Sequence, residues 1–151
     1  MMTNTIYHQI VLKMKKLLVL LLGIFTLTAV GCNDRPISFN DLPQQAQQFI
    51  NQHFNTVGFL SAKVDDGEYE VTLKDGTEID FTRQGEWKKV DCHTTAVPAA
   101  IIPAGIKNYV ASQFPDNIIV KIDKDRNDYE VELNNDIDLK FDLKGNFLYA
   151  D

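Results

Sequence analysis

Three groups of residues in this chain are of types that could do chemistry. The first is the acid-rich run Asp123-Lys124-Asp125-Arg126-Asn127-Asp128, which opens like a calcium-binding loop. That chemistry needs a glycine at the sixth position and a bidentate glutamate at the twelfth. Asp128 and Asn134 occupy those places, so the run reads as a solvated hairpin turn. The second group is His53 and His93. Neither has the Cys and His spacing of a metal site around it, and no metal site is expected. The third is the carboxylate pairs Glu70 with Asp80 and Glu130 with Asp138. Paired acids can perform acid–base work, but these fall on the polar half of an alternating strand pattern, which any sheet with a solvated face requires. The sequence contains no Gly-rich phosphate loop, no G-x-S-x-G and no H-E-x-x-H. The chain is therefore expected not to be an enzyme and to use no cofactor.

The cysteines lead to the processing of the chain. Lys13, Lys15 and Lys16 precede the apolar run Leu17–Leu22, which continues through Ile24 and Phe25. This reads as the basic and apolar regions of a secretory signal, too short to span a bilayer, which needs roughly 20 apolar residues. The leader ends in Leu27-Thr28-Ala29-Val30-Gly31-Cys32, which resembles a bacterial lipobox and implies cleavage before Cys32 and lipidation of Cys32. Ala29 stands where the pattern more often has leucine, and ordinary cleavage after Gly31 is the alternative. Lipidation would leave Cys92 as an odd thiol, and a Cys32–Cys92 disulfide is compatible only with the alternative. Met14-Lys15-Lys16 would make a conventional start, so residues 1–13 read as a start-site artefact. Asn33 lacks the aspartate that resembles an inner-membrane retention signal. The expected location is thus the cell envelope, lipid-anchored on the periplasmic side of the outer membrane or at the cell surface.

The leader removes three basic residues and no acids, leaving 12 basic against 21 acidic side chains, a net charge of −9. Phosphate binding rests on Lys and Arg, so nucleic acid is not an expected partner.

The elements that would carry these groups repeat. A shift of sixty positions aligns Leu42–Asp91 with Ile102–Asp151, with Pro43 on Pro103, Phe54 on Phe114, Tyr69-Glu70-Val71 on Tyr129-Glu130-Val131, Phe81 on Phe141 and Gly85 on Gly145. Each half opens with a helix pattern, Ala46, Phe49, Ile50 and Phe54 in one and Ile106, Tyr109, Val110 and Phe114 in the other. Alternation follows. Tyr69, Val71, Leu73, Ile79, Phe81 and Trp87 are all odd-numbered, which predicts three-residue loops at Lys74-Asp75-Gly76 and Arg83-Gln84-Gly85. Leu60, Ala62 and Val64 are even, which predicts a two-residue type I′ turn at Asp66-Gly67. The second half has Val120 and Ile122, then Tyr129, Val131, Leu133, Leu139, Phe141 and Phe147, with Asn127 and Asp136 replacing two turn glycines. The expected fold class is α+β: two tandem repeats, each a helix packed on a four-stranded antiparallel β-meander, together forming one extended sheet with one open face. The expected organisation is a signal peptide over 1–31, a lipid-anchored tether over 32–41, repeats over 42–91 and 102–151, and a linker over 92–101.

The mature chain resembles the PepSY-like group, often described as β-lactamase-inhibitor-like. The carriers are the Leu42-Pro43 helix start, Tyr69-Glu70-Val71-Thr72-Leu73 with Asp75-Gly76, the Phe81 to Trp87 segment running on to Asp91-Cys92, Pro103, and Tyr129-Glu130-Val131-Glu132-Leu133. The resemblance implies a sheet with one face free, and that open face is the motive for expecting a binding module. The expected function is a non-enzymatic envelope lipoprotein that binds an envelope protein or peptide. Its candidate surface is Lys63, Glu70, Thr72, Glu78, Asp80, Lys88, Lys121, Glu130, Glu132, Asp138 and Lys140. Alternatives are an inhibitor or regulator of an envelope protease or hydrolase, which resemblance to PepSY domains of protease propeptides suggests, and a structural or stress-induced envelope component.

Overall fold

The computed structural model describes residues 34–151; the signal peptide, its start-site question and the lipidated Cys32 fall outside the described residues. Two elements precede the first long helix, the strand β1 (Arg35–Ile37) and a 3-10 turn at Phe39–Asp41. Part of the expected tether is therefore ordered structure. Helix α1 (Gln44–His53) follows, then β2 (Phe59–Asp65), β3 (Glu68–Leu73), β4 (Glu78–Phe81) and β5 (Trp87–Asp91). Helix α2 (Ala104–Gln113) leads into β6 (Ile119–Lys124), β7 (Asp128–Leu133), β8 (Asp138–Asp142) and β9 (Phe147–Ala150).

These strands form a single nine-stranded antiparallel sheet in sequential order, β1 to β9. The expected fold class, α+β with two tandem helix-plus-meander repeats, is corrected by this topology: the described chain is mostly β, with only two ten-residue helices. The halves do join in one extended sheet as expected, through the β5–β6 ladder, which pairs Lys89 with Asp123, Val90 with Ile122 and Asp91 with Lys121. Two separate meanders would each expose a strand edge at this point, with its backbone groups unpaired. The ladder removes both edges, and β1 adds a ninth strand beyond the eight expected by pairing with β2. The segment expected as a linker is also part of the packing, since Val97, Ile101 and Ile102 are buried and the Val97 N–H donates to the Ile119 carbonyl at 2.9 Å.

The core lies between the two helices and the face of the sheet they cover. Ala46 and Ile50 of α1 and Ile106 and Val110 of α2 are buried against Val71, Leu73, Ile79, Phe81, Val90, Ile122, Val131, Leu133, Leu139 and Phe141, in one continuous cluster. Aromatic pairs fix the helices laterally. Phe49 stacks on Trp87 with centroids 6.2 Å apart, and Tyr109 lies nearly parallel to Phe147 at 4.4 Å.

Turn chemistry sets the register. Asp66 and Gly67 both have positive φ, as a type I′ turn requires. Gly76, Gly85 and Gly145 are left-handed, as is Asp136 where a glycine is replaced; Asn127 is not among the positive-φ residues. Gly85 and Gly145 have a second role at close approaches. A Cβ at Gly145 would lie 3.2 Å from the Gly105 Cα and 3.3 Å from the Ile106 nitrogen, while one at Gly85 would lie 2.8 Å from the Pro43 Cβ. These turns seat the first turn of each helix.

The Gly145→Ala substitution is expected to destabilise the protein by about 1–3 kcal/mol, from the disfavoured φ together with overpacking at the α2 start. Urea unfolding checks this, and a midpoint unchanged from wild type would refute the seating role.

Candidate functional site

The helix-free face of the sheet is built by the alternation that buries its other side. Strand register aligns Lys63, Glu70, Asp80, Lys89, Asp123, Glu130, Lys140 and Tyr149 in one row from β2 to β9. A second row runs Ser61, Thr72, Glu78, Asp91, Lys121, Glu132 and Asp138. Ten of the eleven residues expected on this surface therefore fall in two rows.

The eleventh, Lys88, lies beside the first row, one residue before Lys89 and away from the second row. Register on β5 jumps from the Asp80–Lys89 pair to the Phe81–Trp87 pair, which leaves Lys88 as the extra residue of a β-bulge. Its ammonium is held by Glu68 at 2.7 Å. The bulge also turns Lys89 and Asp91 outward and Val90 into the core, so strict alternation from Trp87 missed both polar residues. Apolar Val90 between Lys89 and Asp91 was the available signal. A second bulge, at Leu60, places Phe59 opposite Leu73 and leaves Leu60 60% exposed, although alternation put it in the core. Asp123 was missed because it falls in the acid-rich run assigned to a turn; that run instead ends β6 and starts β7, with only its middle residues forming the hairpin loop.

The charge pattern on this face is uneven. Six acid pairs stand directly opposite across strands: Asp65 with Glu68, Glu70 with Asp80, Glu78 with Asp91, Asp123 with Glu130, Asp128 with Asp142, and Glu132 with Asp138. Directly opposed like charges destabilise a sheet. Lysines flank them, with Lys63 at 2.8 Å from Glu70, Lys140 at 2.6 Å from Glu130 and Lys121 at 3.3 Å from Asp123. Hydrogen bonding to Glu130 pushes the Lys140 ammonium above its ordinary pKa, as Glu70 does for Lys63. Burial pushes the Asp80 and Asp123 carboxyls up, with Lys89 pulling the first back and Lys121 the second. In the middle of the second row, His93 brings its ring to Glu78 and Asp91, the one trio of histidine and carboxylate donors close enough to share an ion among the described residues.

The remaining reactive candidates lie apart from this face. Cys92 is buried, and burial raises its thiol pKa, the opposite of what a nucleophile needs. His53 ends α1 beside Phe49, and burial lowers its pKa. A cleft of about 600 Å³ at the hairpin ends is lined by Arg83, Lys88, Lys124, Arg126 and Trp87 together with acids, and Lys124 sits 5.7 Å over the Trp87 ring. Its charges are mutually compensated.

Comparison with known proteins gives the geometry a family. Residues 67–149 match a family model described as beta-lactamase-inhibitor-like, PepSY-like. A Bacteroides thetaiotaomicron protein described as a calcium-regulated periplasmic protein is 45% identical over 78% of this chain and 96% of its own, with a TM-score of 0.76. A Bacteroides vulgatus protein of the DUF2874 family, described as periplasmic, is 39% identical over 80% of this chain and 98% of its own, also at 0.76. Another B. vulgatus protein, described as periplasmic and of unknown function, is 32% identical over 78% and 98%, again at 0.76. No curated protein matches.

The raised Asp80 and Asp123 give a pH prediction. Between the ordinary value of 3.8 and their raised values the folded chain holds these protons more tightly than the unfolded chain, so in that window stability falls as pH rises. Asp41 and Asp142, lowered by hydrogen bonds from Ser38 and Asn146, act oppositely and lose their contribution only at lower pH. The Asp80→Asn, Asp123→Asn double variant is expected to gain roughly 0.5–1 kcal/mol at neutral pH and to lose this decline. Denaturation measured across pH checks it; a double variant less stable than wild type at pH 7 would show that the lysine contacts outweigh the repulsion.

Proposed function

This chain belongs to the PepSY-like, beta-lactamase-inhibitor-like family of periplasmic proteins, and from that premise we propose that it is a non-enzymatic lipoprotein that binds another envelope protein or peptide on the helix-free face of its sheet. The observation that carries this reading is the set of six opposed acid pairs. They cost stability and the core does not need them, and local rules of this kind are broken where function requires it. The surface has more carboxylates than lysines along both rows, so the partner it suits presents basic side chains. The proposed anchor is Cys32, with the mature chain on the periplasmic side of the outer membrane or at the cell surface.

A second reading has a specific support. The family description, together with a broad polar sheet face, favours an inhibitor or regulator of an envelope hydrolase, in which the partner is an enzyme. The two readings share one surface and differ in what binding does to the partner.

Capture of envelope proteins on the immobilised mature chain, compared with a Glu70→Lys, Asp80→Lys, Glu130→Lys variant, tests the surface. A partner retained by the wild type and lost by the variant is the expected outcome, and enzymatic assay of that partner with and without the chain separates the two readings. A partner held equally by both forms would remove the sheet face from consideration.

A further inference from the structure

We propose that Glu78, Asp91 and His93 form a binding site for a divalent first-row transition-metal ion of the zinc class. The three donor atoms all lie within 4.8 Å of one another. Strand pairing sets two of them, since Glu78 and Asp91 are direct partners across β4 and β5. The third is placed by the chain leaving β5. His93 adopts a left-handed backbone with φ of 55°, and its N–H donates to the Asp91 Oδ1 at 2.9 Å. That turn folds the ring back, bringing the His93 Nδ1 to 3.2 Å from the same carboxylate oxygen. Gly76 of the β3–β4 turn flanks the ring, where a Cβ would come within 3.9 Å of it.

Donor chemistry selects the ion. A lone acid pair would suit calcium or magnesium, which take oxygen ligands. An imidazole nitrogen joined to two carboxylates suits zinc, cobalt or nickel, and three protein ligands with the remaining position left to water is a common zinc arrangement. Ligands around one zinc lie about 2.0–2.2 Å from it, so the trio must close inward by a small amount. The Glu78 and His93 side chains are 48% and 50% exposed, which leaves both free to rotate into place. Electrostatics favours the same ion. Within 4.0 Å the opposed Glu78 and Asp91 carboxylates have only Lys89, at 3.8 Å from Glu78, and His93 as basic neighbours among the described residues. A divalent cation between them would relieve the repulsion that this pairing otherwise imposes.

The full chain, stripped by chelator, would be titrated with Zn²⁺ by calorimetry and with Co²⁺ by visible absorption. The expected result is saturable binding of one ion, weakened about tenfold or more by His93→Ala and by Asp91→Asn, and unchanged by His53→Ala or Cys92→Ser. Excess Ca²⁺ is expected not to displace the ion. Circular dichroism of each variant confirms that the fold is retained. No saturable binding, binding unaffected by His93→Ala, a cobalt spectrum dominated by thiolate charge transfer, or displacement by Ca²⁺ at comparable concentration would each overturn the assignment.

Discussion

The ladder between β5 and β6 is the contact on which the rest of this structure depends. Without it the chain would hold two meanders of about fifty residues, a size at which a hydrophobic core is marginal. With it the apolar face becomes continuous from Leu42 to Phe141, and both helices pack on one sheet. The ladder also carries the polar rows through. Lys89 meets Asp123 and Asp91 meets Lys121 across it, so the outer face is a single charged surface from β2 to β8. The segment between the halves reinforces the join, because Cys92 donates to the Val120 carbonyl and Val97 to the Ile119 carbonyl, each at 2.9 Å.

Alternation links the two faces, and bulges decide where the link shifts. On β5 the extra residue Lys88 reverses the sense of every position after it, which seats Val90 in the core and exposes Asp91 beside Glu78. Bulges on β2, β6 and β9 act similarly: Leu60 is displaced to solvent, while Lys140 meets Tyr149 rather than Leu148. The trio of Glu78, Asp91 and His93 exists only because of the β5 bulge. A strand with strict alternation would have turned Asp91 toward the core.

Much of this was legible in the sequence, for physical reasons that can be named. Turn types at Asp66-Gly67 and at the left-handed Gly76, Gly85 and Gly145 followed from parity and from glycine's tolerance of positive φ, and the helix starts followed from Pro43 and Pro103. Ten of the eleven expected surface residues followed from the period of two. The fold class did not. Internal similarity marks off two units, whereas β1 lies before the repeat and is only three residues long, and the segment between the halves packs into the common core. Bulges were hidden because an extra residue is visible only as an apolar side chain out of step, and Val90 was a single instance. The approach of His93 to Glu78 and Asp91 was not legible, because spacing along the chain says nothing about a group on the neighbouring strand.

Magnitudes explain how one sheet can serve two purposes. Each large side chain of the inner face, such as Phe81, Phe141, Leu73 or Leu139, is fully buried and stabilises the fold by roughly 1.5–3 kcal/mol. A cross-strand pair on the outer face is worth roughly 0.2–1 kcal/mol in either direction, and an exposed ion pair about the same. The inner face therefore decides whether the chain folds, and the outer face is left to vary at small cost. Six opposed acid pairs can persist there because their combined penalty is smaller than what a few core residues supply. Charge on the outer face is then free to be set by what it meets rather than by what the fold needs, which is the condition under which a polar sheet becomes a binding surface.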